Sequence, residues 1–290
     1  MSRAIPPTAE LLQSLREGLD PLRRISFNME AAFTICLKAA LHKNLQYYLE
    51  AVEGTTFFGT SGLRGVCEDF ICLSFIYTSV EPIDRDPLAA ALARKRTAKS
   101  LAAQVGFMRS ARPWQPIAGS AGGIAALNEA GDEVLNKLKQ KYGWKQPRLP
   151  SIWAQAKATG HVELYEYLYH GTSEWVHFNP RHLMRLGWGP TPTEGFLSID
   201  HQESYWRRFS EVYGFHLLQL FLAEFTDCLD IDARVATVVA QLADHYAREL
   251  RWPELVTHEE LNLEGPSPQH RIFLRLLHEL NHSRPDHSQG

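Results

Sequence analysis

The sequence predicts an all-α protein, a multi-helix bundle with a buried central helix and no substantial sheet. Three observations lead there. Apolar residues recur at three- and four-residue spacing over most of the chain. No run alternates apolar and polar residues as a half-buried strand does. The helical stretches are separated by short segments rich in Pro and Gly. With 290 residues, 44% of them hydrophobic, the chain has apolar surface enough for a large core. It reads as one helical domain over residues 1–283, with a frayed tail at 284–290.

Residues 8–24 form an amphipathic helix after Pro6-Pro7, with Leu11, Leu12, Leu15, Leu19 and Leu22 on one side. Residues 1–26 are therefore expected to lie on the bundle as a lid. A longer helix over 28–53 turns Ala32, Cys36, Ala39, Ala40, Leu41, Leu45, Tyr48 and Leu49 inward and ends at Gly54. The stretch 57–80 is apolar enough for a helix in the core but too short and punctuated to span a membrane. A turn is expected at 81–87, then a cationic helix over 88–109. Arg112-Pro-Trp-Gln-Pro116 breaks it, and Gly119-Ser-Ala-Gly-Gly123 leads into a helix over 124–142 whose lysines gather near its C-terminus. That glycine-rich pentapeptide lacks the Lys and the preceding strand of a phosphate loop, so it reads as a connection. A short helix at 151–159 closes at Gly160. Beyond it lie a helix over 161–177, a helical turn at 178–185, a breaker-rich loop or gate at 187–195, and helices at 200–228, 230–251 and 268–282.

The 161–177 stretch carries the main candidate site. On a helical wheel Glu166, Tyr169, His170, Ser173 and His177 fall within an arc of about 100°. Leu164, Leu168, Trp175 and Phe178 lie toward the other side. A helix so rich in apolar groups is expected to be buried, with the polar row facing protein or an enclosed pocket. On the 57–80 helix, Arg64 and Glu68 stand one turn apart with Ser61 nearby. A buried Arg–Glu pair needs further hydrogen bonds to offset desolvation, and the polar row would supply them.

Several chemistries fit these residues. Ser173 and His177 are four apart, as a nucleophile and base on one helix would be, but no G-x-S-x-G elbow or oxyanion hole accompanies them. Glu166, His170 and His177 are suitable metal ligands without an H-E-x-x-H pattern, and no metal or cofactor is expected. A structural hydrogen-bond network is the bland reading. A sharper one assigns Arg64 to a phosphate, His177 to proton transfer, and Glu68, Tyr169 and Ser173 to orientation, which together suffice for metal-independent RNA cleavage.

The motifs Arg64-Gly-Val-Cys-Glu68 and Tyr169-His-Gly-Thr-Ser-Glu-Trp-Val-His177 resemble those of an uncharacterised bacterial all-helical family, a domain of unknown function, over about residues 30–250. The resemblance implies a helical fold and a site at these residues, and no established activity. A looser likeness is to HEPN-type helical proteins, whose ribonucleases carry Arg-x(4–6)-His on one helix. The spacing occurs as Arg251…His258, interrupted by Pro253, and as Arg271…His278, with Ile272 at a usually polar place. This likeness implies a ribonuclease or toxin-like effector, in a bacterial defence setting. The alternative is a non-catalytic helical interaction protein.

Charge is unevenly spread. Residues 86–160 hold twelve Lys and Arg against four Asp and Glu, a balance of +8, whereas residues 191–265 hold five against fourteen, a balance of −9. The basic 86–160 segment is a candidate surface for RNA, and with the acidic 191–265 region it also suggests a homo-oligomer. The four cysteines make no C-x-x-C pair and lie in apolar stretches, as buried reduced thiols would. The chain shows no basic leader followed by an apolar run, and a cytoplasmic protein without membrane partners is expected.

Overall fold

The computed structural model describes residues 7–26, 31–54, 59–116, 120–173, 175–177, 187–188, 196–197, 200–248 and 252–256, and is helical almost throughout. Helix α1 (Ala9–Leu19) begins at Thr8, whose hydroxyl accepts the Leu11 N–H, and passes into a 3-10 turn at Asp20–Arg23. Helices α2 (Ala32–Glu53), α3 (Gly59–Ser79), α4 (Pro82–Ala111), α5 (Ala121–Tyr142) and α6 (Ile152–Thr159) follow. Ser120 and Ser151 cap α5 and α6, and Gly143 and Gly160 end them in the left-handed region that a side chain would disfavour. Helix α7 is composite: α-helical at Val162–Leu164, π-helical at Tyr165–His170 and α-helical again at Gly171–Ser173. Last come α8 (Asp200–Phe225), a 3-10 turn at Thr226–Cys228, and α9 (Ala233–Ala247). Gly187–Trp188 and Phe196–Leu197 form a two-residue antiparallel ladder, the sole sheet pairing among the described residues.

The helix that runs through the middle is α8. It packs on α2 and α3, and its Trp206, Phe209, Phe215, Phe221 and Phe225 are almost wholly buried. Their rings meet at the offset and edge-on spacings aromatic groups prefer, as with Trp206 and Trp175 at 4.2 Å and Phe221 and Phe225 at 4.6 Å. Polar groups in this core are paired across helices. The Tyr246 hydroxyl donates to Glu211 at 2.8 Å and lies 3.0 Å from the Tyr48 hydroxyl, while Arg208 pairs with Glu211 at 2.6 Å, which joins α2, α8 and α9. Glu224 of α8 accepts from Ser74 of α3 and meets the His161 ring at 3.2 Å.

Several boundaries differ from the sequence expectation for physical reasons. Residues 81–87 are not a separate turn. Pro82 sits in the first turn of α4, where its missing N–H costs nothing, and the helix continues through Pro87. Arg85 meanwhile reaches back to the carbonyls of Tyr77 (2.6 Å) and Val80 (3.1 Å), so the α3 end and the α4 start are tied together. Asp86 then accepts the Phe33 N–H at 2.9 Å, supplying α2 with the cap that Ala31 lacks. In α2 the inward row is Phe33, Leu37, Leu41, Asn44, Leu45, Tyr48 and Leu49, which leaves Ala39 and Cys36 exposed. The buried row of α1, Leu12, Leu15 and Leu19, belongs to a helix that packs against α9. The expected helix at 268–282 and the tail at 284–290 fall outside the described residues. No helix among the described residues is long and apolar enough to cross a membrane.

The Tyr47 ring is wedged between two helices at glycines. A Cβ added at Gly62 would come 3.0 Å from one edge of the ring, and one at Gly214 would come 3.1 Å from the other. Alanine in a helix interior is favoured over glycine by about 1 kcal/mol, whereas overpacking costs about 1–3 kcal/mol. Because the ring is confined on both edges, the steric cost wins. The double variant Gly62→Ala with Gly214→Ala is expected to melt several degrees below the parent. A rise in melting temperature would show that propensity dominates and that Tyr47 is free to shift.

Candidate functional site

Helix α7 lies on α3 with Leu168 and Thr172 buried and Tyr167 turned toward α8, where its hydroxyl is 2.9 Å from that of Tyr213. This settles the direction of the polar row. Glu166, His170 and His177 are exposed, and Tyr169 and Ser173 are half-buried, so the row is the outer side of the helix and not an enclosed one. The π-helical segment contributes to the difference. Bonding from i to i+5 adds a residue to the turn, which rotates the following residues by about 100° relative to a straight wheel.

The structure brings two of the five predicted site residues together. Arg64 Nη2 donates to the Tyr169 hydroxyl at 2.8 Å, and the guanidinium carbon stands 4.7 Å from the centre of the same ring. Tyr165 stacks behind Tyr169 with centroids 5.0 Å apart. Arg64 Nε is sealed from solvent and has no hydrogen-bond partner among the described residues. Glu68, one turn along α3, does not pair with Arg64 and instead lines a groove described below. Ser173 donates to the Tyr169 carbonyl at 2.6 Å, an internal helix bond that occupies its proton. The His177 ring makes no hydrogen bond or ion pair with the other four residues among those described. Likewise, no group of three His, Cys, Asp or Glu side chains among the described residues is placed to hold a metal ion, and Glu166, His170 and His177 do not converge on one.

The groove is the feature that sequence reasoning missed. It has a volume of about 1200 Å³ and is bounded by the second half of α4, the first half of α5, the 147–151 connection, and α3 and α6 at its base. Its lining mixes the apolar Leu92, Val105, Ile124 and Ile152 with the cationic Lys95, Arg96, Lys99, Arg109 and Arg148, and with Glu68 and Gln155 from α3 and α6. Lys95 is neutralised by Asp132 at 2.7 Å. Arg96, Lys99, Arg109 and Arg148 are exposed and have no carboxylate partner among the described residues. The charge bias of residues 86–160 was legible, but the groove arises from how α4 and α5 meet, which spacing along one helix does not reveal.

Two thiols flank this base. Burial pushes the Cys67 thiol up to about 12, with Glu68 adding to the shift. Burial likewise raises Cys72, which lines the groove, to about 12, helped by Glu68 and Asp69 and opposed by Arg96. Both remain protonated at neutral pH and are poor nucleophiles. A second polar cluster, Ser74, Glu224 and His161, has its carboxylate between the other two groups. The histidine therefore does not face the serine, and Ser74 is fully buried, so the cluster fastens α7 to α3 and α8.

Residues 61–192 match the model of a family of unknown function, DUF5677. The matched segment starts in α3 and contains Arg64, Glu68, Tyr169, Ser173 and His177 together with every residue of the groove. It is narrower than the 30–250 span that the motifs suggest, and leaves out α1, α2, α8 and α9. No match was found among curated proteins or among solved structures.

The Arg64–Tyr169 contact within the matched segment makes a direct prediction. Tyr169→Phe keeps the ring under the guanidinium and removes one charge-assisted bond, at a cost of about 1–2 kcal/mol. Combined with Arg64→Ala, the loss is expected to be less than additive by a similar amount, because both changes delete the same bond. Additive losses in chemical denaturation would contradict the contact.

Proposed function

We propose that this protein binds RNA along the α4–α5 groove, and that it does so as a non-catalytic helical interaction protein in which the Arg64–Tyr169 contact fastens α7 to α3. The observation that carries this reading is the set of exposed, uncompensated cations on the groove walls. At 1.5 Å per residue, Arg96 and Arg109 are separated by about 20 Å along α4. A charge array of that length suits a polyanion better than a single phosphate. The groove volume of about 1200 Å³ also exceeds the range of about 300–1000 Å³ usual for small-molecule pockets.

A second reading, a HEPN-like metal-independent ribonuclease or toxin-like effector in bacterial defence, is favoured by one specific observation. Arg64 Nε is a buried donor with no partner among the described residues, and a phosphate oxygen would satisfy it. In that reading the ribose 2′-hydroxyl attacks phosphorus, the 5′-oxygen leaves, Arg64 steadies the charged phosphorus centre, and His177 carries the proton. Glu68, Tyr169 and Ser173 orient the two. All four residues of the pairs Arg251…His258 and Arg271…His278 that carry the HEPN likeness lie outside the described residues. A homo-oligomer pairing the basic 86–160 face with the acidic 191–265 region of a second copy would compete for the same groove.

Titration of labelled RNA at several salt concentrations tests the first reading. Affinity is expected to fall with salt, and Arg96→Gln, Lys99→Gln and Arg109→Gln together should flatten the log–log slope by about 2, at about 0.7 per lost phosphate contact on a single strand. An unchanged slope would remove the groove from the account. The same samples, held in chelator and run on a gel, address the second reading. Intact RNA with the parent protein overturns it, whereas cleavage abolished by His177→Ala without a change in melting temperature replaces the first reading with it.

A further inference from the structure

The two most exposed large aromatic side chains among the described residues lie at the end of α4: Phe107 is 65% exposed and Trp114 is 74% exposed. Neither lines the groove; Phe107 follows the groove residue Gly106 in the chain, and Trp114 lies five residues beyond Arg109. Arg112 lies over Trp114, with its guanidinium carbon 5.7 Å from the ring centre. The local order Phe107-Met-Arg109-Ser-Ala-Arg112-Pro-Trp114 thus interleaves aromatic and cationic groups at the end of α4. Of the other exposed apolar residues, Trp153 follows the groove residue Ile152 and carries Lys157 over its ring at 5.3 Å, while Ile25, Ile83 and Val176 are scattered singly.

This arrangement bears on which form of RNA fits. A duplex buries its base faces in its own stack and offers a protein mainly phosphates, ribose hydroxyls and base edges. Arginines alone serve that purpose, and exposed rings add little. A single strand presents unstacked bases, each with a face that stacks on an aromatic side chain, while neighbouring cations follow the backbone. Resting on the RNA-binding reading, we infer that the groove takes single-stranded RNA, with phosphates along Arg96, Lys99, Arg109 and Arg148 and unpaired bases stacked on Phe107 and Trp114. The apolar residues of the lining favour the same form, since they offer the base faces a surface while the cations beside them meet the phosphates.

The test compares one unstructured RNA oligonucleotide with the duplex made by annealing its complement, by fluorescence anisotropy at low salt. The single strand is expected to bind the full chain roughly tenfold or more tightly than the duplex. Phe107→Ala with Trp114→Ala should cost the single strand roughly tenfold or more and leave duplex binding and the melting temperature unchanged. The Trp114→Phe variant, which retains a ring, should recover part of the loss. Equal binding of the two forms, both insensitive to the aromatic variants but weakened by salt, overturns the inference and leaves the RNA-binding reading standing. Absence of salt-dependent binding to either form overturns both. Light scattering gives the remaining outcome: a dimer that dissociates on Phe107→Ala with Trp114→Ala would assign the rings to a second copy of this chain, and overturn the inference.

Discussion

Burial of the aromatic side of α8 against α2 and α3 is the constraint on which the rest depends. Trp206, Phe209, Phe215, Phe221 and Phe225 lose nearly all contact with water there, each contributing on the order of 2–3 kcal/mol. With α8 in place, the buried face of α3 is set by Leu63, Val66, Phe70 and Ile71, and its remaining side is left to Arg64 and Glu68. Helix α7 then docks on α3 through Leu168 and Thr172, fastened at one end by Glu224 to His161 and at the other by Trp175 against Trp206.

The same constraint separates two regions that sequence spacing had joined. Arg64 turns toward Tyr169 and Glu68 faces the groove, although they are one helical turn apart. The first contact is nearly closed, a guanidinium bonded to a phenol and resting on its ring. The second is open and cationic. Chemistry that needs Arg64 must therefore compete with Tyr169 for it, whereas a ligand in the groove meets arginines that make no ion pair among the described residues, with Glu68 the carboxylate of α3 in the same lining.

Much of the fold was legible in the chain. Leu-rich spacing in α1, the Ser120 and Ser151 caps, and Gly143 and Gly160 as helix ends each carry a local physical signal, and the helices begin and end close to them. Pro82 and Pro87 misled, because the stabilisation of that junction comes from Arg85 reaching the carbonyls of a different helix. The orientation of α7 misled for a related reason. Its wheel assumes 3.6 residues per turn throughout, and the π-helical Tyr165–His170 segment breaks that assumption. Of the candidate site, the expectation that Arg64 meets the polar row of the next helix rested on two apolar helices each carrying polar groups, but it set Glu68 and His177 beside Arg64, and the partner found is Tyr169 while His177 is exposed. The groove was not legible, since its walls belong to helices whose crossing no single-helix pattern encodes.

The central claim is that RNA lies between α4 and α5. Photo-cross-linking of RNA carrying 4-thiouridine, with the attached peptides identified by mass spectrometry, tests it most directly. Cross-links are expected on peptides spanning residues 92–116 and 145–157, which border the groove. Cross-links confined to α1, α8 or α9, none of which lines the groove, would contradict the account.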